Sequence, residues 1–400
     1  MKARYQYRIY PTIEQQAKLS KLFGCCRVVW NDALAFCRNS EKLPKNSDLQ
    51  KQFITQAKQT EERQWLSEVC TTPLQQSLRD LNTAYSNFFA SLTGKRKGIK
   101  VNPPKFKKRS NKQTARFTRQ GFVLHQHKVY LAKIGDVKIV WSRDLPSDPS
   151  SVTVIKDASG RYFLSFVVET QPVTIPPIND GVGIDLGIKT FATLSNGEKI
   201  DSPKPLKKYL RKLKKAQQKL SRKQKGSKRR EKARLKVAKI HAKITDTRTD
   251  FLHKLSTKIA RENQSVVLED LNVSGMLKNR KLSRAISDLG WRQFRTLLEA
   301  KCSKYQRDFV VIDRWTPTSQ VCSCCGFRGG KLDLAVREWT CLNCETIHDR
   351  DINAAVNILV AGGHSETLNG RGGKRQTTSV AASCEASTHR KVTHTDVFAS

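Results

Sequence analysis

Residues 322–353 read CSCCGFRGGKLDLAVREWTCLNCETIHDRDIN. Two Cys-x2-Cys pairs, Cys322/Cys325 and Cys341/Cys344, bracket residues 326–340. That is zinc-ribbon spacing: each pair converges two thiolates on one tetrahedral ion, and Gly326 permits a tight turn after the first pair. Buried free cysteines are the bland alternative, and two matched pairs weigh against it. Cys324 is surplus and could replace Cys325 as a ligand. Four sulfur ligands leave no open position, so one Zn²⁺ here would be structural. Its expected task is to hold the acids that follow it. These lie in His348-Asp349-Arg350-Asp351, ahead of an apolar helix predicted over 352–360.

The chain has 400 residues, enough for two or three domains. Lys and Arg total 74 against 35 acids, a formal net charge of +39. An excess of that size points to a polyanionic partner, with nucleic acid first in line. No membrane partner is expected, because no transmembrane run or lipidation signal is present. The opening Met1-Lys2-Ala3-Arg4 leads into alternating Tyr and Arg rather than an apolar run, so no signal peptide is read. Eleven cysteines, four with metal spacing, suit a reducing cytoplasm better than a disulfide framework. A location at the nucleoid follows as an expectation.

Tyr5, Tyr7 and Ile9 alternate with Arg4, Gln6 and Arg8, which predicts a half-buried strand. Thr12-x-x-Gln15 is a capping box that opens a helical region running to about Leu92. Gly24 is read as separating its first two helices, with Trp30, Leu34 and Cys37 along the second. Thr72-Pro73 is read as an N-cap followed by proline at the first helical position. Leu74, Leu78, Leu81, Tyr85, Phe88 and Leu92 then form an apolar stripe. Residues 94–112 are basic, and Pro103-Pro104 forbids a helix, so Lys105, Lys107, Lys108 and Arg109 fall on a loop. Phe106 could stack on a base or anchor that loop to the core. Strands are predicted at 123–124, 129–131, 137–141, 152–155 and 162–168. With residues 2–10 they suggest a small β-barrel interrupted by a helical insertion. Pro172, Pro176 and Pro177 mark a linker.

Beyond the linker, Gly181 to Lys189 is an apolar strand with Asp185 in its middle. A second strand at 190–194 and a turn at Asn196-Gly197 make an antiparallel hairpin. Residues 204–243 hold 19 basic residues and one acid, Glu231. Leu206, Leu210, Leu213 and Leu220 define one helix. Gly226-Ser227 breaks it, and Val237, Ile240, Ile244, Phe251, Leu255 and Ile259 define a second. A merely solvated hairpin would intersperse glutamates for i,i+4 pairing. Their near absence predicts a phosphate-facing surface carrying Lys207, Lys208, Arg211, Lys214, Lys215, Arg222 and Lys223.

Ser265 to Leu271 is a buried strand ending in Glu269 and Asp270, and a helix with Trp291, Phe294, Leu297 and Leu298 precedes a strand at 309–312. Asp185, Glu269 and Asp351 are thus three acids in the order strand, strand, helix. Acids on apolar strands are costly to bury without partners. Convergence on two Mg²⁺ ions would supply them, and two such ions about 4 Å apart suit phosphoryl transfer. For any one acid, a salt bridge to the many cations is the competing explanation. Asp349 is read as a helix cap or supporting acid, and Asp270 as pointing to the opposite strand face from Glu269.

These motifs resemble the TnpB family, transposon-encoded relatives of the type V CRISPR effector nucleases. The likeness is carried by Asp185 in GIDLGIK, Glu269 in LEDL, the paired Cys-x2-Cys motifs and HDRDINAA. RIYPT, LQQSLRDLNTAYSNFF, the basic hairpin and the DFLHKLST run from Asp250 extend it over about residues 1–370. It implies a multidomain α+β and α/β chain. A wedge-like β-barrel would occupy 1–10 and 100–172, and a helical recognition domain 11–99. An RNase H-like (RuvC-type) nuclease domain would span 178–360, with a zinc ribbon inserted at 315–346. Asp185, Glu269 and Asp351 would be the catalytic Mg²⁺ ligands, and Cys322, Cys325, Cys341 and Cys344 would hold zinc. Gln75 matches part of the family's reader of the adjacent motif, whereas Thr71 and Thr72 need not, so a different motif is expected. The implied activity is Mg²⁺-dependent cleavage of double-stranded DNA beside a short motif, guided by a transposon-derived non-coding RNA, by a monomer with its RNA.

The residues themselves also admit a transposase that uses the same acids for strand transfer, or an RNA-guided protein that binds without cutting. The first would usually assemble as a synaptic oligomer, and no dimerisation heptad is evident. The intact triad argues against the second. Residues 361–400, Lys374 and Arg375 included, are polar and without apolar period, and are read as a flexible tail.

Overall fold

The first strand, β1 (Lys2–Tyr10), lies between strands that come more than a hundred residues later. In the computed structural model, which describes residues 1–363 apart from 97, 111, 179, 331, 332 and 334, it is followed by α1 (Ile13–Asn39), α2 (Asn46–Gln50) and α3 (Thr71–Leu92). Then come β2 (Gln113–Thr118), β3 (Phe122–Leu124), β4 (Lys128–Leu131), β5 (Gly135–Val140), β6 (Ser151–Lys156) and β7 (Tyr162–Glu169). All pair antiparallel in the order β2-β6-β7-β1-β5-β4-β3, a nearly closed barrel. Strand β1 is central because its alternation works: Tyr7 and Ile9 point into the core, and Ile9 lies opposite Tyr162 on one side and Ile139 on the other. These elements, with residues Lys223–Lys239, form one compact unit.

Thr12 and Gln15 close the capping box reciprocally: Thr12 Oγ1 accepts from Gln15 N at 3.2 Å, and Gln15 Oε1 accepts from Thr12 N at 3.0 Å. Gly24 does not break the helix, contrary to the sequence reading; α1 runs through it. Phe23, Cys25, Cys26 and Val29 around it are buried, and that packing outweighs the roughly 1 kcal/mol a helical glycine costs. The start of α3 also differs. Cys70 is the N-cap without a side-chain bond, and Pro73 is the third helical residue, where its missing N–H would have had no intrahelical acceptor. Thr71 instead accepts from Lys58 Nζ at 2.7 Å. Residues 40–70 are mostly short, irregular helical turns rather than a continuous helix. Strand β2 was not foreseen, since only Ala115 and Phe117 carry its buried alternation.

The second unit comprises Pro172–Arg222 and the residues from Ile240 on. Its strands are β8 (Gly181–Leu186), β9 (Ala192–Leu194) and β10 (Lys199–Ile200). After α4 (Pro205–Ser221) and α5 (Lys228–Glu262) come β11 (Ser265–Glu269), α6 (Val273–Met276), α7 (Ser283–Leu289), α8 (Trp291–Tyr305) and β12 (Asp308–Ile312). The chain then forms β13 (Glu338–Thr340), β14 (Ile347–Asp349) and α9 (Arg350–Ala361). The five-stranded sheet runs β10-β9-β8-β11-β12, with β8, β11 and β12 parallel and the β10–β9–β8 side antiparallel. Asn196-Gly197 turns β9 into β10, while residues 187–191 join β8 to β9. The short α6 and α7 and the β13–β14 hairpin lie outside the sequence expectations.

The two basic helices form as predicted, with Leu213 and Ile244 buried and Leu206, Leu210, Leu220, Val237 and Ile240 half-buried. Helix α4 has no local cap. Its N-terminus is held by Asp288 of α7, 5% exposed, whose carboxylate accepts from Leu206 N at 2.9 Å and Lys207 N at 3.1 Å. Arg248 of α5 bonds the same carboxylate at 3.2 Å and the Asp288 carbonyl at 2.9 Å. No described helix is long and apolar enough to cross a membrane. From residue 364 on, the expected tail lies outside the described residues.

Candidate functional site

Asp185, Glu269 and Asp351 belong to β8, β11 and α9 of the second unit. Leu268 pairs with Ile184 in the parallel β8–β11 ladder, so Asp185 and Glu269 each follow a paired residue at the same end of adjacent strands. Helix α9 crosses at this end because Gly183 has no side chain. A Cβ there would lie 2.1 Å from the Ala355 carbonyl oxygen and 2.6 Å from Leu359 N. Gly183 shares a strand face with Asp185, and Ala355 sits one helical turn beyond Asp351. The close approach at 183/355 therefore brings Asp351 towards Asp185.

All three acids are half-buried. Burial pushes the Asp185 carboxyl up to about 7, and the charges of Glu269 and Asp351 add to the shift; Arg350 opposes it. Burial, then Asp270, raises Glu269. Asp351 takes one weak ion pair from Arg337, at 3.4 Å. This is a set of hard oxygen donors whose mutual repulsion a divalent cation would offset.

The two neighbouring acids do other work. Asp270 is bound by Arg295 and Arg314, which hold its carboxyl below the usual range. Asp349 caps α9, accepting from Asp351 N at 3.1 Å and Ile352 N at 3.0 Å, and takes Lys199 Nζ at 2.6 Å. The cap at Asp349 agrees with the sequence reading, whereas Asp270 lies just past the end of β11 and its two arginines were not read from the sequence.

The Sγ atoms of Cys322, Cys325, Cys341 and Cys344 all lie within 4.8 Å of one another. Cys322–Cys344 is 3.7 Å and Cys325–Cys341 is 3.6 Å. A disulfide would need about 2.05 Å, whereas a tetrahedron with arms of about 2.3 Å has edges of about 3.8 Å. The cluster thus fits one tetrahedral zinc, and Cys324 stands outside it. Its two knuckles repeat one design: Gly326 N bonds Cys322 O and Glu345 N bonds Cys341 O, each at 2.9 Å. Gly326 has φ +78°, and Glu345 takes φ +55° without being glycine. Three residues that tie this cluster to the acids went unforeseen. His348 Nε2 lies 3.0 Å from Cys322 Sγ, and Asn353 and Asn357 bond the chain around Cys322. Two asparagines four apart in the otherwise apolar run 352–360 were the available signal.

The cations expected at nucleic acid divide into two groups. Lys207, Lys208, Arg211, Lys214 and Lys215 on α4, and Arg222 and Lys223 after it, are exposed, and α4 contains no acid. The loop of Lys105 to Arg109 is tied to α1. Lys105 O accepts from Trp30 Nε1 at 3.1 Å, and Asn31 bonds both the N (2.8 Å) and O (3.1 Å) of Lys107. The Lys107 ammonium lies 3.8 Å from the Trp30 ring centre, and burial lowers its pKa. The Arg38 guanidinium covers Phe106 at 4.6 Å. Lys108 and Arg109 are exposed, and Gln75 is half-buried in the first turns of α3.

Three family models match the chain: "Probable transposase" of the IS605 OrfB type over residues 165–280, a Cas12f1-like TNB domain over 291–358, and a helix-turn-helix domain over 1–42. A Streptomyces pristinaespiralis protein named "Putative RNA-guided DNA endonuclease" is 48% identical over 369 residues, 90% of each chain. The chain belongs to the TnpB family. Another relative, InsQ of Escherichia coli K12, with the same descriptive name, is 31% identical over 90% of this chain and 92% of its own. Among solved structures, the mini-RNA-guided endonuclease CRISPR-Cas phi3 aligns with a TM-score of 0.50 at 10% identity, over 90% of this chain and 92% of that one. The TnpB chain thus shares that effector's multidomain α+β fold.

Proposed function

We propose that this TnpB-family chain is an RNA-guided endonuclease that hydrolyses double-stranded DNA beside a short adjacent motif. Its partners would be that DNA and a transposon-derived guide RNA, with the chain acting as a monomer at the nucleoid. The second unit would be an RNase H-like, RuvC-type nuclease domain with the four-cysteine ribbon inserted. The first would be a wedge-like barrel with helices α1–α3 as a recognition domain. The relatives' names support the reaction class.

The observation that carries the reading is that burial raises Asp185 to about 7 and that the charges of Glu269 and Asp351 both add to the shift. Oxygen-only donors fit Mg²⁺, which would supply an activated water and stabilise the leaving 3′ oxygen. Asp185 and Glu269 would hold the ions from the strand ends and Asp351 from the helix. Asp349, fixed as a cap and paired with Lys199, would orient Asp351 rather than bind metal itself. The exposed cations of α4 would hold phosphates without reading sequence. Gln75, Lys105, Phe106, Lys108 and Arg109 are further proposed nucleic-acid contacts, whereas Lys107 is better explained by its packing on Trp30.

The test is to express the chain with the DNA flanking its gene, sequence the RNA that copurifies, and use its 3′ segment to direct Mg²⁺-dependent cleavage. A defined RNA and cut, lost in Asp185→Ala while binding persists, supports the reading. Joined DNA products in place of hydrolysed ends would favour strand transfer, and normal cutting by Asp185→Ala would remove the acids from the mechanism.

A further inference from the structure

Helix α9 is held on two opposite sides. One side lies on β8, where Gly183 meets Ala355. At about 100° per residue, Asn353 projects about 200° away from both Asp351 and Ala355. Asn353 is 1% exposed and Asn357, one turn on, is 4% exposed. Neither faces the acids. Asn353 Oδ1 accepts from Ser323 N at 2.8 Å, while its Nδ2 donates to Val321 O at 2.8 Å. Asn357 Nδ2 donates to the same Val321 O at 2.7 Å and to Thr318 O at 2.8 Å.

Residues 321 and 323 flank Cys322, whose sulfur belongs to the four-cysteine cluster. Three hydrogen bonds thus join the backbone on either side of Cys322 to the helix that carries Asp351, and a fourth holds Thr318 just before it. A buried carboxamide is suited to this because it accepts and donates at once. A carboxylate could keep the Ser323 bond but not the Val321 bond, and an alanine would strand both backbone groups. A second link runs in parallel: His348, beside Cys322 Sγ, directly precedes Asp349, whose carboxylate caps α9 and bonds Asp351 N.

We infer that Asn353 and Asn357 are positioning residues that couple the zinc cluster to Asp351. The folded knuckle presses α9 against β8 and so fixes the acid at the divalent-ion site. The cluster then has a purpose beyond local stability, since losing its zinc loosens the knuckle and releases the acid. The ion-site part of this inference rests on the function proposed above, whereas the coupling does not.

The experiment uses the full chain and the variant Asn353→Ala. It measures zinc per chain, hydrogen exchange across Arg350–Ala361, binding of Mn²⁺ as a probe of the acids, and the metal-concentration dependence of cleavage. The expected result is zinc retained at one per chain, with faster exchange at the start of α9. Mn²⁺ affinity should fall about 10- to 100-fold, as for other groups that orient metal ligands. Cleavage should return toward the parent rate at saturating metal, a split that general destabilisation would not produce. Removing zinc from the parent chain should speed exchange over the same residues. Zinc retention with unchanged exchange and unchanged Mn²⁺ binding would overturn the inference. If the parent bound no Mn²⁺ that Asp351→Ala abolishes, the ion-site reading would fall, and the exchange data would still decide the coupling. If Asn353→Ala does not fold, Asn357→Ala removes the Thr318 bond and one Val321 bond and carries the same readings.

Discussion

Gly183 and Ala355 meet so closely that the helix backbone rests on the strand with no side chain between them. Replacing Gly183 by Ala must push α9 away from β8, because the atoms a new Cβ would strike are backbone and cannot swing aside. Gly183→Ala should cost about 3 kcal/mol or more and abolish cleavage even where the chain still folds. Thermal unfolding and a cleavage assay check this. A variant as stable and active as the parent would mean that α9 does not depend on this contact.

Asp185 makes the metal-free chain sensitive to pH in a direction unusual for a carboxylate. Its folded value is raised from 3.8 to about 7, so between those values the folded chain binds more protons than the unfolded one. The contribution is fully present below about pH 4 and is lost as the pH rises through 7. Asp185→Asn removes the loss. At pH 8 without divalent metal it should be more stable than the parent by about 1–3 kcal/mol, allowing for partial exposure. Mg²⁺ should stabilise the parent and much less the variant. Denaturant unfolding at pH 5 and 8 supplies the comparison, and equal stability of the two chains at pH 8 would contradict the cause assigned to the shift.

Glu345 occupies in the second knuckle the place that Gly326 holds in the first, at φ +55°. A left-handed conformation costs a side-chain-bearing residue about 1–2 kcal/mol, part of which a glycine returns as unfolded-state entropy. Glu345→Gly is expected to stabilise the zinc-loaded chain by about 0.5–1 kcal/mol. A loss of stability or of zinc would show that the Glu345 side chain matters.

Adjacent lysines should behave differently. Lys107 lies over Trp30 with its backbone held by Asn31, whereas Lys108 is exposed. Lys107→Gln is expected to lower stability by about 1 kcal/mol through the lost cation–π contact. Lys108→Gln should leave stability unchanged, weaken RNA binding and reduce its salt dependence by about one phosphate contact. Thermal melts and a salt titration separate the two, and the reverse pattern would reassign them.

Much of this was legible in the sequence because it depends on local spacing. The Cys-x2-Cys pairs, the capping box at Thr12 and the alternation of Tyr7 and Ile9 each involve neighbouring residues. Asp349 could be set aside because helix capping is a short-range rule. What escaped was tertiary. Gly24 reads as a break until its neighbours are seen to be buried, and Gln113–Thr118 has too little pattern to identify as a strand by itself. Phe106 could not be decided without Arg38, which reaches it from another element. The asparagines of α9 make sense only beside the backbone they hold, some thirty positions earlier in the chain.

The same dependence governs α4, the helix with the highest density of basic residues. Asp288 holds the start of α4 from 82 residues downstream, and Arg248 steadies that carboxylate. Excised as a peptide, α4 would lose the anchor of its first turn, and its many like charges would then work against the coil-to-helix transition. The surface it offers is therefore not a portable cationic tag. Anyone trimming the protein to a smaller tool would need to keep α7 for the sake of α4, although no nucleic acid need ever touch α7.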